Sequence, residues 1–182
     1  MSKRYNRVII QNSEIFNSKL VGIYLQGVNS EPNIIRCMIN NIEGPGVKIQ
    51  RGSKAKIQLC EFVECKVGIQ AISADPIINM NKIRRNLESG IHIIAKNGLR
   101  SDAILKYNWV EKNLGDGIFL EGDQNYTRVE KNHHIDSNRK SGIKASNFAS
   151  PKIVNNMVFS NFGQGVLLVD SASAYIEKNE IF

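Results

Sequence analysis

The stretch Asn81-Lys82-Ile83-Arg84-Arg85-Asn86-Leu87-Glu88-Ser89-Gly90-Ile91-His92-Ile93 returns 27 residues later as Asn108-Trp109-Val110-Glu111-Lys112-Asn113-Leu114-Gly115-Asp116-Gly117-Ile118-Phe119-Leu120. What the two copies share is a frame: Asn, an apolar residue two positions on, a second Asn, then Gly-apolar-x-apolar. The glycine signature recurs at Gly22, Gly46, Gly68, Gly90, Gly117, Gly142 and Gly165, in steps of 24, 22, 22, 27, 25 and 23 residues. Self-similarity at that period marks a solenoid.

The asparagines run in phase with the glycines. Asn132 and Asn138 precede Gly142, Asn156 and Asn161 precede Gly165, and a truncated last unit keeps Asn179. Apolar residues flank the first Asn, as Ile78 and Ile83, Leu105 and Val110, or Ile153 and Val158. Around Asn132 the second of them, Ile135, comes one position late. Short apolar alternations broken by Asn and Gly are strand-turn-strand, and the preference for Ile suits a half-buried pleated surface. The expected fold is all-β: a right-handed parallel β-helix of seven to eight coils of about 22–27 residues, in one domain over residues 1–182. At ~4.8 Å per coil the rod would be on the order of 35 Å long. A leucine-rich repeat shares the period but needs more Leu and a helical turn, and a left-handed β-helix needs a six-residue period.

An inward Asn carries both donor and acceptor, so stacked Asn side chains can bond each other and the turn backbone. Asn also tolerates the left-handed conformation of a sharp bend. The expected ladders are Cys37, Cys60, Asn81, Asn108, Asn132 and Asn156 at one bend, and Cys65, Asn86, Asn113, Asn138 and Asn161 at the next. The glycines are expected where a coil re-enters a strand, through positive φ or close backbone approach. Three cysteines, an odd number, on inward phases of a chain without an export signal read as reduced, buried thiols.

The formal charge is +7 and the pI about 9.4. No apolar run reaches the ~18 residues of a membrane span, and Met1 to Asn6 lack a signal-peptide core. The expectation is a soluble cytoplasmic chain, with a cytoskeletal or ciliary setting as the specific case. Lys82, Arg84, Arg85, Lys106, Lys112, Arg128, Lys131, Arg139 and Lys140 alternate with Glu88, Glu111, Glu130 and Asp136. That pattern reads as a solvated mixed face, or as a surface for an acidic partner: protein, polysaccharide or RNA. No arginine-rich tract or aromatic nucleic-acid motif singles out RNA.

Residues at equal phase stack in columns, so outward chemistry can be lined up. Two positions after each glycine stand Tyr24, Lys48, Gln70, His92, Phe119, Lys144 and Leu167, without a carboxylate. Two further on stand Gln26, Gln50, Ile72, Ile94, Glu121, Ser146 and Val169. Asp116, Glu121 and Asp123 crowd one coil among glycines, which reads as a loop at the coil edge. His133-His134 with Asp136 falls on the inserted residue, and adjacent strand residues face opposite ways, which disfavours joint metal ligation. His92 reads as a surface contact residue, not a general base. No phosphate loop, nucleophile elbow or metalloprotease helix is present. No catalytic residue, cofactor or metal is assigned.

The unit apolar-x-x-Asn-x-apolar-x-x-Asn-x-x-x-Gly-Ile-x-apolar resembles the repeats of the right-handed β-helix superfamily, from about Val8 to Phe182. Pectate lyases and polygalacturonases share that architecture. The narrower resemblance is to non-catalytic eukaryotic members, such as the β-helix of certain F-box proteins and of Shc-binding spindle-type proteins, which implies a protein-recognition surface. The polygalacturonase site pattern (Asn-Thr-Asp, paired aspartates, Gly-His-Gly, Arg-Ile-Lys) is absent, and in Lys82-Ile83-Arg84 the Ile sits at a core phase.

Solenoids normally end in capping units. Here Val8, Ile9, Ile10, Ser13 and Ile15 already follow the repeat and the chain stops at Asn179-Glu180-Ile181-Phe182. Either the chain is a fragment of a longer protein or each open end stacks on another polypeptide, and coil ends packed on other protein subunits are the expectation. The candidate interaction surface is His92, Phe119 and Lys144 together with an apolar C-terminal group, Phe159, Phe162, Leu167, Val169 and Phe182. The expectation is a non-enzymatic scaffold in a larger assembly. The alternative is a carbohydrate-active lyase or hydrolase on acidic polysaccharide.

Overall fold

Three parallel sheets run the length of the rod, because each coil contributes one strand to each. The structure is a computed structural model and describes residues 8–28 and 30–182; the reading of Met1 to Asn6 lies outside them. The first sheet has eight strands, from Ile9–Gln11 through Asn33–Ile35, Lys56–Gln58, Ile77–Asn79, Ile104–Lys106, Arg128–Glu130 and Lys152–Val154 to Tyr175–Glu177. The second, also of eight, runs from Glu14–Phe16 through Lys82–Arg84, Trp109–Glu111 and His134–Asp136 to Met157–Phe159 and Glu180–Ile181. The third has seven, from Ile23–Gln26 through Pro45–Gln50, Val67–Ile72, Ile91–Ile94, Ile118–Glu121 and Ile143–Ser146 to Val166–Leu168.

Register follows the repeat, since a slip of one residue would turn every Ile outward. Ile78 pairs with Leu105, Ile83 with Val110, and Ile91 with Ile118. The inward positions of all three sheets form one continuous core. The late Ile135 keeps this register too, pairing with Val110, because His133 is looped out and exposed.

Both asparagine ladders form. Asn108 Oδ1 accepts the Asn81 backbone N–H at 3.0 Å and Asn81 Nδ2 at 3.1 Å. Its own Nδ2 donates to the Ile78 carbonyl at 2.9 Å and to Asn132 Oδ1 at 3.1 Å. All four bonding positions of the amide are used. At the second bend Asn113 does the same for Asn86 and Asn138. The ladder asparagines do not, however, take the left-handed conformation themselves. The residue before each one does: Met80, Tyr107 and Lys131 at the first bend have φ of 56°, 56° and 55°, and Arg85, Lys112 and Ser137 at the second 53°, 54° and 55°. Leaving that geometry to the preceding residue frees the Asn side chain to point inward.

For the glycines the close-approach alternative holds. The repeat glycines are not among those with positive φ, which are Gly27, Gly52, Gly98 and Gly122. A Cβ on Gly117 would lie 2.6 Å from the Gly142 carbonyl oxygen, and one on Gly90 2.8 Å from that of Gly117. The glycines stack on one another at the entrance to the third sheet.

Cys37, Cys60 and Cys65 are free and buried, as small members of the two ladders. Burial pushes the thiols of Cys60 and Cys65 up to about 11. At pH 8 both are protonated and sealed, and thiolate is the reactive form. A thiol-reactive dye should label neither in the folded protein and all three cysteines in denaturant. Rapid native labelling of Cys60 or Cys65 would contradict the ladder assignment.

The apolar C-terminal group does not form one patch. Phe159 lies on the outer face of the second sheet and stacks on Phe182, with ring centroids 5.5 Å apart. Phe162 stands 77% exposed on the corner beyond it, under the Arg139 guanidinium. Leu167 belongs to the third sheet, paired with Lys144, and Val169 to the bend that follows. The sequence spacing is short, but the coil carries these residues to different sides of the rod.

Candidate active site

The third sheet's outer face gathers the side chains with chemical potential. His92 and Phe119 face each other across adjacent strands and stack, with centroids 4.5 Å apart and planes 11° from parallel. Lys144 follows on the next strand, its Nζ 4.8 Å from the Phe119 ring centroid. Three of the expected surface residues thus form one row. What the column reading missed is a diagonal: His92 Nε2 lies 3.1 Å from Glu121 Oε2 in the next coil. Long side chains at diagonal positions of paired strands are within reach of one another. Glu121 Oε1 in turn accepts from Asn147 Nδ2 at 3.1 Å.

The His92 side chain is only 16% exposed. Burial lowers its pKa below the ordinary 6.5, against the opposing pull of the Glu121 carboxylate. The imidazole is therefore neutral at pH 7. With the Glu121 oxygen as acceptor at 3.1 Å, the tautomer that fits carries its proton on Nε2, which leaves Nδ1 as the acceptor. A neutral imidazole held by a carboxylate is the arrangement of an oriented general base.

Glu121 also lines a groove of about 480 Å³, with Lys96, Asn97, Gly122, Asp123 and Asn147. Its wall is residues 95–103, the longest connection between strands among the described residues and the source of the 27-residue repeat step. The wall is braced: Ser101 pairs with Asn125 in an isolated bridge, and Ser101 Oγ donates to the Ala74 carbonyl at 2.7 Å. Buried Asn125, which no ladder accounts for, donates to the Ile93 and Glu121 carbonyls at 2.9 and 3.1 Å.

The acidic cluster resolves into three roles. Asp116 is buried and accepts from the Ser141 N–H at 2.9 Å, a structural task. Asp123 is exposed and caps its own turn through the Gln124 N–H at 2.8 Å; Asp116 is also a loop residue, but Asp123 alone is a solvated one. Glu121 is a strand residue. His134 lies on the second sheet, stacked on Trp109 at 4.3 Å, with Nδ1 3.7 Å from Asp136 Oδ1, while His133 projects away. Among the described residues no group of three or more His, Cys, Asp or Glu is placed to hold a metal ion.

A three-sided parallel solenoid with a walled groove on one outer face is the class this geometry defines. The sequence matches the right-handed β-helix region over residues 2–79 and 73–181, so the chain belongs to the right-handed β-helix family. That match does not extend to the narrower resemblance to F-box and Shc-binding proteins. A search of curated proteins finds no match. Among solved structures the chain is similar to the periplasmic alginate epimerase AlgG, with a TM-score of 0.66, 20% identity, 96% of this chain covered and 39% of that one. A mutant form of AlgG aligns with a TM-score of 0.65, 16% identity and coverage of 96% and 47%. A double mutant aligns with a TM-score of 0.51, 12% identity and coverage of 96% and 69%. The chain thus spans about two fifths to a half of the length of the first two. The expectation of a protein that is not an enzyme is corrected: the solved structures that accompany this fold over nearly the whole chain are those of a carbohydrate-active enzyme.

Proposed function

We propose that this chain is a carbohydrate-active enzyme domain on an acidic polysaccharide, and that its third-sheet groove removes the proton α to the carboxylate of a uronate residue. The observation that carries the reading is the His92–Glu121 pair, 3.1 Å apart on the outer face of the third sheet, with Glu121 also lining the groove; burial of the imidazole, which lowers its pKa, favours the neutral form. His92 Nδ1 takes the proton from C5 as the C5–H bond breaks. The electron pair moves into the sugar carboxylate, whose growing negative charge is offset by Lys96 and Lys144. Glu121 stabilises the imidazolium that forms. The enolate then either expels the O4 substituent, whose alkoxide takes up the proton held by the His92 imidazolium, which is lysis, or takes a proton from water at C5 on the opposite face while His92 returns its proton to solvent, which is epimerisation. Hydrolysis would need two carboxylates flanking the bond; of the two that line the groove, Glu121 is engaged by His92 and Asn147 and Asp123 caps its own turn through the Gln124 N–H. The similarity to an alginate epimerase and the net charge of +7 support an acidic substrate.

The test is turnover on alginate and polygalacturonate, followed as unsaturated ends, reducing ends and uronate configuration. His92→Asn keeps a polar side chain but removes the base and should lower the rate about 10²–10⁴-fold. Only the neutral imidazole is active, so the rate should be fully present above the His92 pKa. As pH falls through that value, below 6.5, the rate should be lost. A His92→Asn protein with undiminished turnover would overturn the assignment, and so would a wild-type protein that changes neither polymer.

A further inference from the structure

Across the wall formed by residues 95–103 lies a second cleft, of about 490 Å³, lined by Arg100, Asp102, Tyr126, Arg128, Ser150 and Lys152. Arg128 and Lys152 occupy the same outward column of the first sheet and pair directly across adjacent strands. Like charges in that relation repel. Some basic side chains on the rod do meet carboxylates, as Arg84 meets Glu61 at 2.6 Å, Arg85 meets Glu64 at 3.5 Å, and Lys66 meets Glu88 at 3.8 Å. Arg128 and Lys152 make no ion pair with any described residue, and Lys152 Nζ lies 5.3 Å from the Tyr175 ring centroid. Arg100 is paired with Asp102 and lies over the Tyr126 ring, 4.8 Å from its centroid. Tyr126 is 41% exposed. The cleft therefore combines two unneutralised cations, an aromatic ring and the Ser150 hydroxyl.

We propose that this cleft is a second binding site for the acidic polysaccharide, which holds sugar units away from the reacting one. An anionic sugar placed there removes the Arg128–Lys152 repulsion through its carboxylate, rests an apolar ring face on Tyr126, and meets Ser150 and Asp102 with its hydroxyls. Wall residues serve both clefts: Lys96 and Asn97 line the third-sheet groove, and Arg100 and Asp102 line this one. A chain crossing the corner over the wall would engage both. The inference rests on the polysaccharide reading of the groove but requires no catalytic step. Single-stranded RNA, the other polyanion of comparable charge, needs successive aromatic platforms for its bases, and the cleft offers one ring.

The experiment is calorimetric titration of the whole protein with an alginate hexasaccharide, its carboxyl-reduced neutral counterpart, and a single-stranded RNA hexamer. Arg128→Gln with Lys152→Gln should weaken hexasaccharide binding at least about tenfold and flatten its salt dependence. Tyr126→Ala should also weaken it. The neutral sugar should bind no better to wild type than the acidic sugar binds to the double variant. His92→Asn should leave the contribution of this cleft intact. Binding that ignores the double substitution, absence of hexasaccharide binding, or preference for the RNA would each overturn the proposal. Sensitivity to Arg128 and Lys152 without turnover would remove the catalytic reading alone, whereas turnover with insensitive binding would remove the cleft alone.

Discussion

Gly117→Ala is expected to prevent the rod from closing, and the variant should be recovered unfolded or aggregated. The added Cβ would sit 2.6 Å from the Gly142 carbonyl oxygen, 2.7 Å from Asn138 Nδ2 and 3.1 Å from an Ile135 methyl. The first two are atoms of the glycine stack and of the second asparagine ladder, neither free to move. Gly117 N donates to the Ser141 carbonyl at 2.9 Å and Gly142 N to the Gln164 carbonyl at 2.9 Å, so separating one pair of coils strains those beyond it. Overpacking in a core that can yield costs about 1–3 kcal/mol; here the obstacle is backbone. Gly98→Ala is the control. That glycine has φ of 68° and no heavy atom within 4 Å of an added Cβ, so it should cost only about 1 kcal/mol. Thermal unfolding of the two variants checks the contrast, and a Gly117→Ala protein as stable as Gly98→Ala would contradict it.

Asn108→Leu is expected to destabilise the protein by about 3 kcal/mol, lowering the melting temperature by roughly 10 °C. The substitution keeps the branching of the side chain, with bulkier methyl groups in place of the amide, and removes four hydrogen bonds, those to Asn81 N, Asn81 Nδ2, the Ile78 carbonyl and Asn132 Oδ1. Stranding the Asn81 N–H in a buried bend is the largest part, since an unsatisfied buried donor costs about 1–3 kcal/mol. Cys60 shows what the bend tolerates: its Sγ accepts from the Cys37 N–H at 3.4 Å, in the role Asn oxygens fill elsewhere. Asn108→Cys should therefore lose less than Asn108→Leu. Equal losses in chemical denaturation would mean that the ladder acts by packing alone.

Most of the fold was legible because the solenoid repeats its physics. The Asn columns, the glycine stack, the outward columns and the slipped Ile135 all follow from phase, and pairings such as Gln26–Gln50 and Glu121–Ser146 reproduce it. Phase also explains what stayed hidden. Reading columns one at a time left His92 alone, because its partner Glu121 sits diagonally in the next column of the next coil. Asp116 and Glu121 are five apart in sequence, yet Asp116 lies buried in the connection before the strand Ile118–Glu121 and Glu121 at the end of that strand. The Arg128–Lys152 cleft was obscured because Lys152 lies beyond the basic run of the central repeats, and Arg100 reaches it only through the fold of the wall. Phe159, Phe162 and Leu167 looked like one patch because proximity along a coil is not proximity around it.

The central claim is that His92 removes a proton from C5 of a uronate residue, and hydrogen exchange reads that step directly whichever product follows. Alginate or polygalacturonate would be incubated with the protein in D2O at neutral pH, and the C5 proton signal followed by NMR. Loss of that signal with wild-type protein, abolished in His92→Asn, is the predicted result. A C5 proton signal that persists undiminished in both polymers with the folded wild-type protein would contradict the account.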